Sequence, residues 1–192
     1  IPHGPHTWEN QFEHGLSTYS IKSIWERVQD CYATLRKDVM DQYGIELENL
    51  AAIGVSAMMH GYMAFNKNQE ILVPFRTWRN TNTGKAAARL SELFNFNIPL
   101  RWSISHLYEC IIDGESHVKD IDYLATLDAY IHWQLTGERV TGIGDASGML
   151  PIDPDTKDYD EKMVKKFDTL VAPKGYPWKL RDILPKVLVA GQ

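Results

Sequence analysis

The sequence predicts an α/β protein in which a mixed sheet is flanked by helices, and three observations carry that reading. Helical periodicity runs through residues 20–43, a short apolar run without alternation follows at 50–56, and helix-like and strand-like stretches then alternate. The 192 residues, 44% hydrophobic and 23% charged, suit one domain over residues 1–192 with its own core, not a disordered chain.

In the first stretch Ile21, Ile24, Trp25, Val28, Tyr32, Leu35 and Val39 recur at three- and four-residue steps, one face of an amphipathic helix. Ser20 is placed to cap its first turn, and Gly44 to end it in a left-handed conformation. Residues 50–56 read as a short strand, small and apolar enough to be covered on both faces. Residues 62–65 and 71–73 flank a polar turn and read as a hairpin. Thr83 can cap a helix through Ala86, Leu90, Leu93 and Phe94. Ser103 can cap another that turns Ile104, Leu107, Tyr108 and Ile111 inward and stops at Gly114. A strand near Tyr123 and Leu124 precedes a helix over 126–135, which Gly137 ends. Residues 149–152 read as a strand, 153–158 as a turn and 160–171 as a helix, broken by Pro173, Gly175 and Pro177. No repeat, low-complexity tract or linker divides the chain.

Composition removes several classes of function. A formal charge of -5 with scattered Lys and Arg gives no basic footprint for nucleic acid. Cys31 and Cys110 form no CxxC and fall in helical stretches, so two buried, reduced thiols are expected, in keeping with a cytoplasmic protein. No apolar run approaches the roughly 20 residues of a membrane span, and no signal peptide opens the chain. The start, Ile1-Pro2-His3-Gly4-Pro5-His6, lacks an initiator Met and reads as a piece of a longer product.

Few motifs carry chemistry. Ser56-Ala-Met-Met-His-Gly61 follows the expected strand, and ligands of open α/β sheets bind beyond the carboxyl ends of strands. His60 can hydrogen-bond a hydroxyl and Gly61 permits close backbone approach. A satisfied core histidine with two packing methionines is the plainer local reading. Pro74-Phe-Arg-Thr-Trp-Arg-Asn-Thr-Asn82 gathers Arg76, Trp78, Arg79, Asn80 and Asn82, an aromatic face with amides and guanidinium groups suited to a polyol. A polar loop anchored by Trp78 is the alternative. Gly142-Ile-Gly-Asp-Ala-Ser-Gly148 nearly spells a dinucleotide fingerprint, but a polar loop precedes it and no helix follows, so a nicotinamide site is excluded. There is no HExxH, no calcium loop at Asp153, Asp155 and Asp158, no Gly-x-Ser-x-Gly elbow and no Walker loop.

In order and spacing, these segments resemble the N-terminal domain of the FGGY carbohydrate kinases, most closely the xylulokinase-like branch. The matching residues are Ile53-Gly-Val-Ser56 with Met59-His-Gly61, Val73-Pro74 and Trp78, Leu135-Thr-Gly137, Asp145-Ala-Ser-Gly148 leading to Asp153, and Leu184-Pro185 with Val187 and Gly191. The resemblance implies a ribonuclease H-like, actin-like ATPase fold, incomplete here because the family's first strands are missing. It implies transfer of the γ-phosphoryl of Mg-ATP to a hydroxyl of a sugar or polyol, with a ketopentose as the expected substrate. Such transfer needs a phosphate cradle, a base and a substrate clamp. The family's cradle, an Asp-x-Gly-Thr hairpin, and its aspartate base have no counterpart in this chain, which is therefore expected to be inactive alone.

The clamp carries over to Met59, His60, Gly61, Trp78 and Asn80. Where the family has Gln before Met-His-Gly this chain has Met58, and Asn80 and Asn82 replace an Asp and an Arg, which leaves the sugar open. Asp145 reads as structural. A non-catalytic actin-like binding module is the competing function. An unpaired sheet edge is expected to drive self-association, with a homodimer as its simplest form.

Overall fold

A computed structural model describes residues 11–13 and 15–191. The chain packs as two compact units, residues 1–54 and 55–192. The opening residues, with His3 and His6, lie outside the described residues.

In the first unit β1 (Gln11–Glu13) pairs antiparallel with β2 (Leu16–Tyr19), Gln11 opposite Thr18. Helix α1 (Ile21–Tyr43) then runs 23 residues. Gly44, at φ 65°, ends it by donating its N–H to the Met40 carbonyl at 2.9 Å. Ser20 stands at the N-cap with extended backbone, yet its hydroxyl makes no capping bond. The apolar stripe is real but outward: Ile24 is buried while Tyr32, Leu35 and Met40 are exposed. Cys31, expected inside, is exposed as well. One helix and one two-stranded ladder are too little to enclose such a stripe within this unit.

The strand expected at residues 50–56 is absent, and most of that segment is exposed. Among the described residues no strand pairs with it, and extended backbone without a partner has no ladder to hold it.

The second unit carries the core. The hairpin at residues 62–73 is present. Leu72 N–H donates to the Ala64 carbonyl at 2.8 Å, and Asn66 Oδ1 accepts from the N–H groups of Asn68 and Glu70. Its first limb, β3 (Met63–Phe65), pairs antiparallel with β5 (Tyr123–Ala125), the strand expected there. Tyr62 exchanges two backbone hydrogen bonds, 2.9 and 3.1 Å, with Arg76 of β4 (Phe75–Arg76). A third ladder is parallel, β6 (Val140–Gly142) with β7 (Lys186–Leu188). Both strand senses occur, as expected of a mixed α/β protein, but in small ladders.

Helices α2 (Gly84–Phe94), α3 (Ser103–Ile112), α4 (Leu127–Thr136) and α6 (Glu161–Val171) stand where helices were expected, and two one-turn helices, α5 (Ile143–Ala146) and α7 (Leu180–Ile183), were not foreseen. Leu90 and Phe94 of α2, Leu107 and Ile111 of α3, Val164 and Phe167 of α6 and Leu180 and Ile183 of α7 bury against Tyr62 and Ala64 in one core. Each such apolar side chain contributes about 1.5–3 kcal/mol. Phe65, Tyr123, Tyr130 and Trp133 form a second aromatic cluster, capped by the Arg139 guanidinium 4.8 Å from the Tyr123 ring centre and 4.9 Å from that of Trp133.

Several helix starts differ from expectation. Asp160 caps α6 through the N–H groups of Lys162 and Met163. Thr83 and Ser103 do not cap: Thr83 donates to the Leu100 carbonyl at 2.5 Å, and Ser103, first residue of α3, donates to the Gly61 carbonyl at 2.7 Å. Buried loop carbonyls need donors, and those bonds take the hydroxyls away from the helix ends. Residues 149–152 are not a strand. Met149 and Leu150 enter the core, and only Ile152 bridges across the Asp153 turn to Tyr159. The segment before Gly142 is a strand where a loop was expected, whereas no helix directly follows Gly148, as expected, and the one-turn α5 lies inside the motif. That helix has four residues, too short to present the N-terminus a dinucleotide needs.

Candidate ligand site

Six residues surround a pocket of about 290 Å³: Ala57, Met58, Met59, His60, Trp78 and Arg101. That volume lies at the lower end for small-molecule sites. The segment 57–61 is pinned from four directions. Leu127 N–H, at the start of α4, donates to the Met58 carbonyl at 3.2 Å. Gly61 N–H donates to the Arg101 carbonyl at 3.2 Å, and Ser103 Oγ donates to the Gly61 carbonyl. Gly148 supplies the fourth brace, since a Cβ there would press into the Met59 carbonyl oxygen.

Gly61 is fixed by conformation and by space. Its φ is +118°, and a Cβ would lie 2.6 Å from the Arg76 carbonyl oxygen and 2.8 Å from the Phe75 ring. The close approach it allows is therefore to its own fold.

His60 is half-buried at the pocket wall. Burial, and then the positive charge of Arg101, hold its imidazole below the ordinary value of 6.5, so it is neutral at pH 7. Neutral imidazole offers one donor and one acceptor, the pairing a hydroxyl requires. Trp78 is 44% exposed, its ring flanked by the guanidinium groups of Arg79, 5.6 Å from the centre, and Arg101, 5.9 Å. Of the five expected site residues, Met59, His60 and Trp78 line the pocket. Gly61 shapes its loop. Asn80 does not reach it: 5% exposed, it donates its side-chain amide to the Thr77 carbonyl at 2.9 Å and holds the turn.

Arg76, expected in the polyol-binding turn, is buried and does not line the pocket. It grips Glu115 with two hydrogen bonds, 2.9 and 2.5 Å, and donates to Cys110 Sγ at 3.0 Å. Burial opposes ionisation of Glu115, but the bonds and charge of Arg76 prevail and hold its carboxyl below the ordinary range. Tyr62 Oη and His117 Nε2 complete the network at 2.9 Å. Cys110, Glu115 and His117 place ligand-type atoms within 4.8 Å of one another. Arg76 already occupies the Glu115 oxygens, and burial pushes the Cys110 thiol up to about 12, so this cluster serves as a structural brace and not a cation cage.

Behind the loop, Asp145 faces Asp128. Burial, the charge of Asp128 and a hydrogen bond between the two push Asp145 up to about 6. Thr126 Oγ1 donates to Asp128. The pair ties the Asp145-Ala-Ser-Gly148 motif to the start of α4.

Arg101 is the pocket residue that sequence reading missed. Its only signal is a basic residue in Pro99-Leu-Arg-Trp102, and the contact with Trp78 joins loops distant in sequence.

The FGGY family of carbohydrate kinases, N-terminal domain, matches residues 4–109, more than half of the chain. No curated protein matches it in sequence. Among solved structures the chain is similar to the xyloylose kinase from Brucella ovis, at 15% identity and a TM-score of 0.74 over 93% of this chain. A ligand-bound xylulose kinase from Lactobacillus acidophilus follows at 20% and 0.70 over 93%. The glycerol kinase from Plasmodium falciparum, solved with ADP, gives 15% and 0.71 over 91%. The chain spans 35% of each of these proteins.

Proposed function

Because this chain belongs to the FGGY family of carbohydrate kinases and has their actin-like, ribonuclease H-like fold, we propose that it supplies the sugar pocket of an ATP-dependent kinase acting on a hydroxyl of a ketopentose or related polyol. The observation that carries the proposal is the pocket itself, with neutral His60 and the open face of Trp78 on one small cavity. His60 would hydrogen-bond a sugar hydroxyl. The Trp78 ring would lie against the C–H face of the sugar, with Met58 and Met59 as apolar walls. Gly61 and Asn80 would keep those groups in place. Phosphoryl transfer relies mainly on positioning and charge stabilisation, so a clamp of this kind contributes orientation.

The described residues do not fit Mg-ATP. The glycine-rich segment 142–148 contains a single helical turn, and the Asp145 carboxyl faces Asp128. Mg-ATP and the general base would belong to the remainder of the full-length protein. No helix among the described residues is long and apolar enough to cross a membrane. We place the protein in the cytoplasm, without nucleic-acid partners. The isolated chain should self-associate, simplest as a homodimer, through surface that it leaves uncovered, and light scattering checks this.

Calorimetric titration of the full-length protein with xylulose, ribulose, glycerol and erythritol tests the assignment, alongside ATP turnover. One pentulose should bind and be phosphorylated, and His60→Ala should weaken it about tenfold, the loss of a buried hydrogen bond. The 192-residue chain should show no turnover. Sugar binding by the full-length protein without phosphorylation would instead mark a binding module.

A further inference from the structure

The two braces that hold the Met58 and Met59 carbonyls meet at one pair of side chains. Leu127 N–H, which donates to the Met58 carbonyl at 3.2 Å, is the chain neighbour of Asp128. Gly148, packed against the Met59 carbonyl oxygen, donates its own N–H to the Asp145 carbonyl at 2.9 Å. The Gly148 and Met149 carbonyls accept from Ser103 and Ile104 N–H, at 3.4 and 3.1 Å, so the same turn fixes the start of α3 beside Arg101. Asp128 is buried and accepts from Thr126 Oγ1, and half-buried Asp145 is hydrogen-bonded to it, carboxyl to carboxyl. Two carboxyl groups share such a bond only while one keeps a proton. Asp128 already acts as an acceptor, so the donor is Asp145.

Loss of that proton reverses the contact, since the bond goes and like charges face each other away from bulk water. The surrounding groups do not compensate. Beyond Asp128 lie the phenols of Tyr123, on β5, and Tyr159, both kept protonated by burial. Arg139 and Arg181 cover those two rings but are paired with Asp122 and Asp158. Lys186, on β7 beside α5, is exposed. We infer, on the sugar-kinase reading above, that Asp145 is a positioning residue: its proton, shared with Asp128, holds the start of α4 to the 145–148 turn and so keeps in place the loop that presents His60 to the ligand. Ionisation of Asp145 parts the two braces. Burial and the facing charge push Asp145 up to about 6, so the sugar binds best below neutrality and its binding at pH 7 to 8 takes up a proton. His60 has the opposite sign, because it must be neutral and loses affinity only as pH falls.

The test is calorimetric titration of the full-length protein with xylulose, ribulose, glycerol and erythritol at pH 6, 7 and 8, in two buffers of different ionisation enthalpy. For the polyol that binds, affinity should fall about tenfold or more from pH 6 to 8, and the buffer dependence of the heat should show proton uptake. Asp145→Asn, whose amide can donate to Asp128 at every pH, should bind at pH 8 about as tightly as wild type does at pH 6, without proton uptake. Asp145→Ala lacks the donor and should bind weakly throughout. An aspartate that only supports the fold would give neither the proton uptake nor the rescue by asparagine. If the variants fail to fold, hydrogen exchange in the wild type decides. Protection of the Gly61 amide, corrected for intrinsic rate, should drop between pH 6 and 8 by more than that of Leu90 in α2, which follows global unfolding. Affinity that stays flat from pH 6 to 8, or falls equally in Asp145→Asn, overturns the inference and leaves the kinase standing. No binding of any of the four polyols at pH 6 fails the sugar-kinase reading, and Gly61 exchange still decides the role of Asp145.

Discussion

At Gly148 a single missing side chain decides the position of Met59, because the Met59 carbonyl oxygen occupies the space a Cβ would take. Gly148 carries no positive φ, so Gly148→Ala asks only for room, which backbone cannot easily yield. Gly61→Ala asks for room and for a left-handed backbone together. We expect Gly61→Ala to destabilise by about 2–4 kcal/mol in urea denaturation. Gly148→Ala should be destabilising as well, since its Cβ would press into the Met59 carbonyl oxygen, and should weaken sugar binding by displacing one wall of the pocket. A wild-type urea midpoint in either variant would contradict this reading. His60 and Trp78 were legible only through the resemblance to the family, since local sequence favoured a core histidine and a loop anchor. Asn80 and Arg76 were not, because an amide or guanidinium in a turn looks the same whether it faces ligand or its own fold. Only the partners, Thr77 and Glu115, tell them apart.

Among the elements, apolar spacing located α1, α2, α3, α4 and α6 to within a residue or two; in the last four it reports the face they bury, whereas the stripe of α1 lies largely exposed. The strand expected at 50–56 failed for the opposite reason. A strand is held by its neighbours, and composition cannot say whether neighbours are present. Caps were read from residue type alone, and here tertiary structure overrode type. Asp160→Ala should cost about 1 kcal/mol, the usual worth of a working N-cap, whereas Ser20→Ala should stay within about 0.5 kcal/mol. Urea midpoints of the two variants check the contrast. Ser103→Ala belongs with Asp160→Ala despite its different geometry, since it strips the donor from the buried Gly61 carbonyl.

For the whole molecule, buried His106 and half-buried Asp145 set opposite pH trends. His106 is 1% exposed, and both ring nitrogens lack a hydrogen-bond partner. Burial, then the charge of Arg76, bring it down to about 3 from 6.5. Its neutral form is favoured by folding, so that stability is complete above 6.5 and is lost as pH falls towards 3. Asp145 behaves inversely: raised to about 6 from 3.8, it holds its proton in the folded state, and stability is lost as pH rises through that window. His106→Leu should therefore flatten the acid side of the stability profile relative to wild type. Asp145→Asn should gain stability above pH 6 and match wild type near pH 4. Thermal melts from pH 4 to 8 measure both differences, and parallel curves for wild type and variants would reject these assignments.

The braces on the loop at 57–61 come from Arg101, Ser103, Leu127 and Gly148. A ribosome that has released the chain as far as Trp78 has made the ligand-facing aromatic and imidazole, but nothing yet to hold them. Competence to bind must wait until Gly148 has cleared the exit tunnel. A nascent chain stalled before that point should bring the same side chains and hold no sugar.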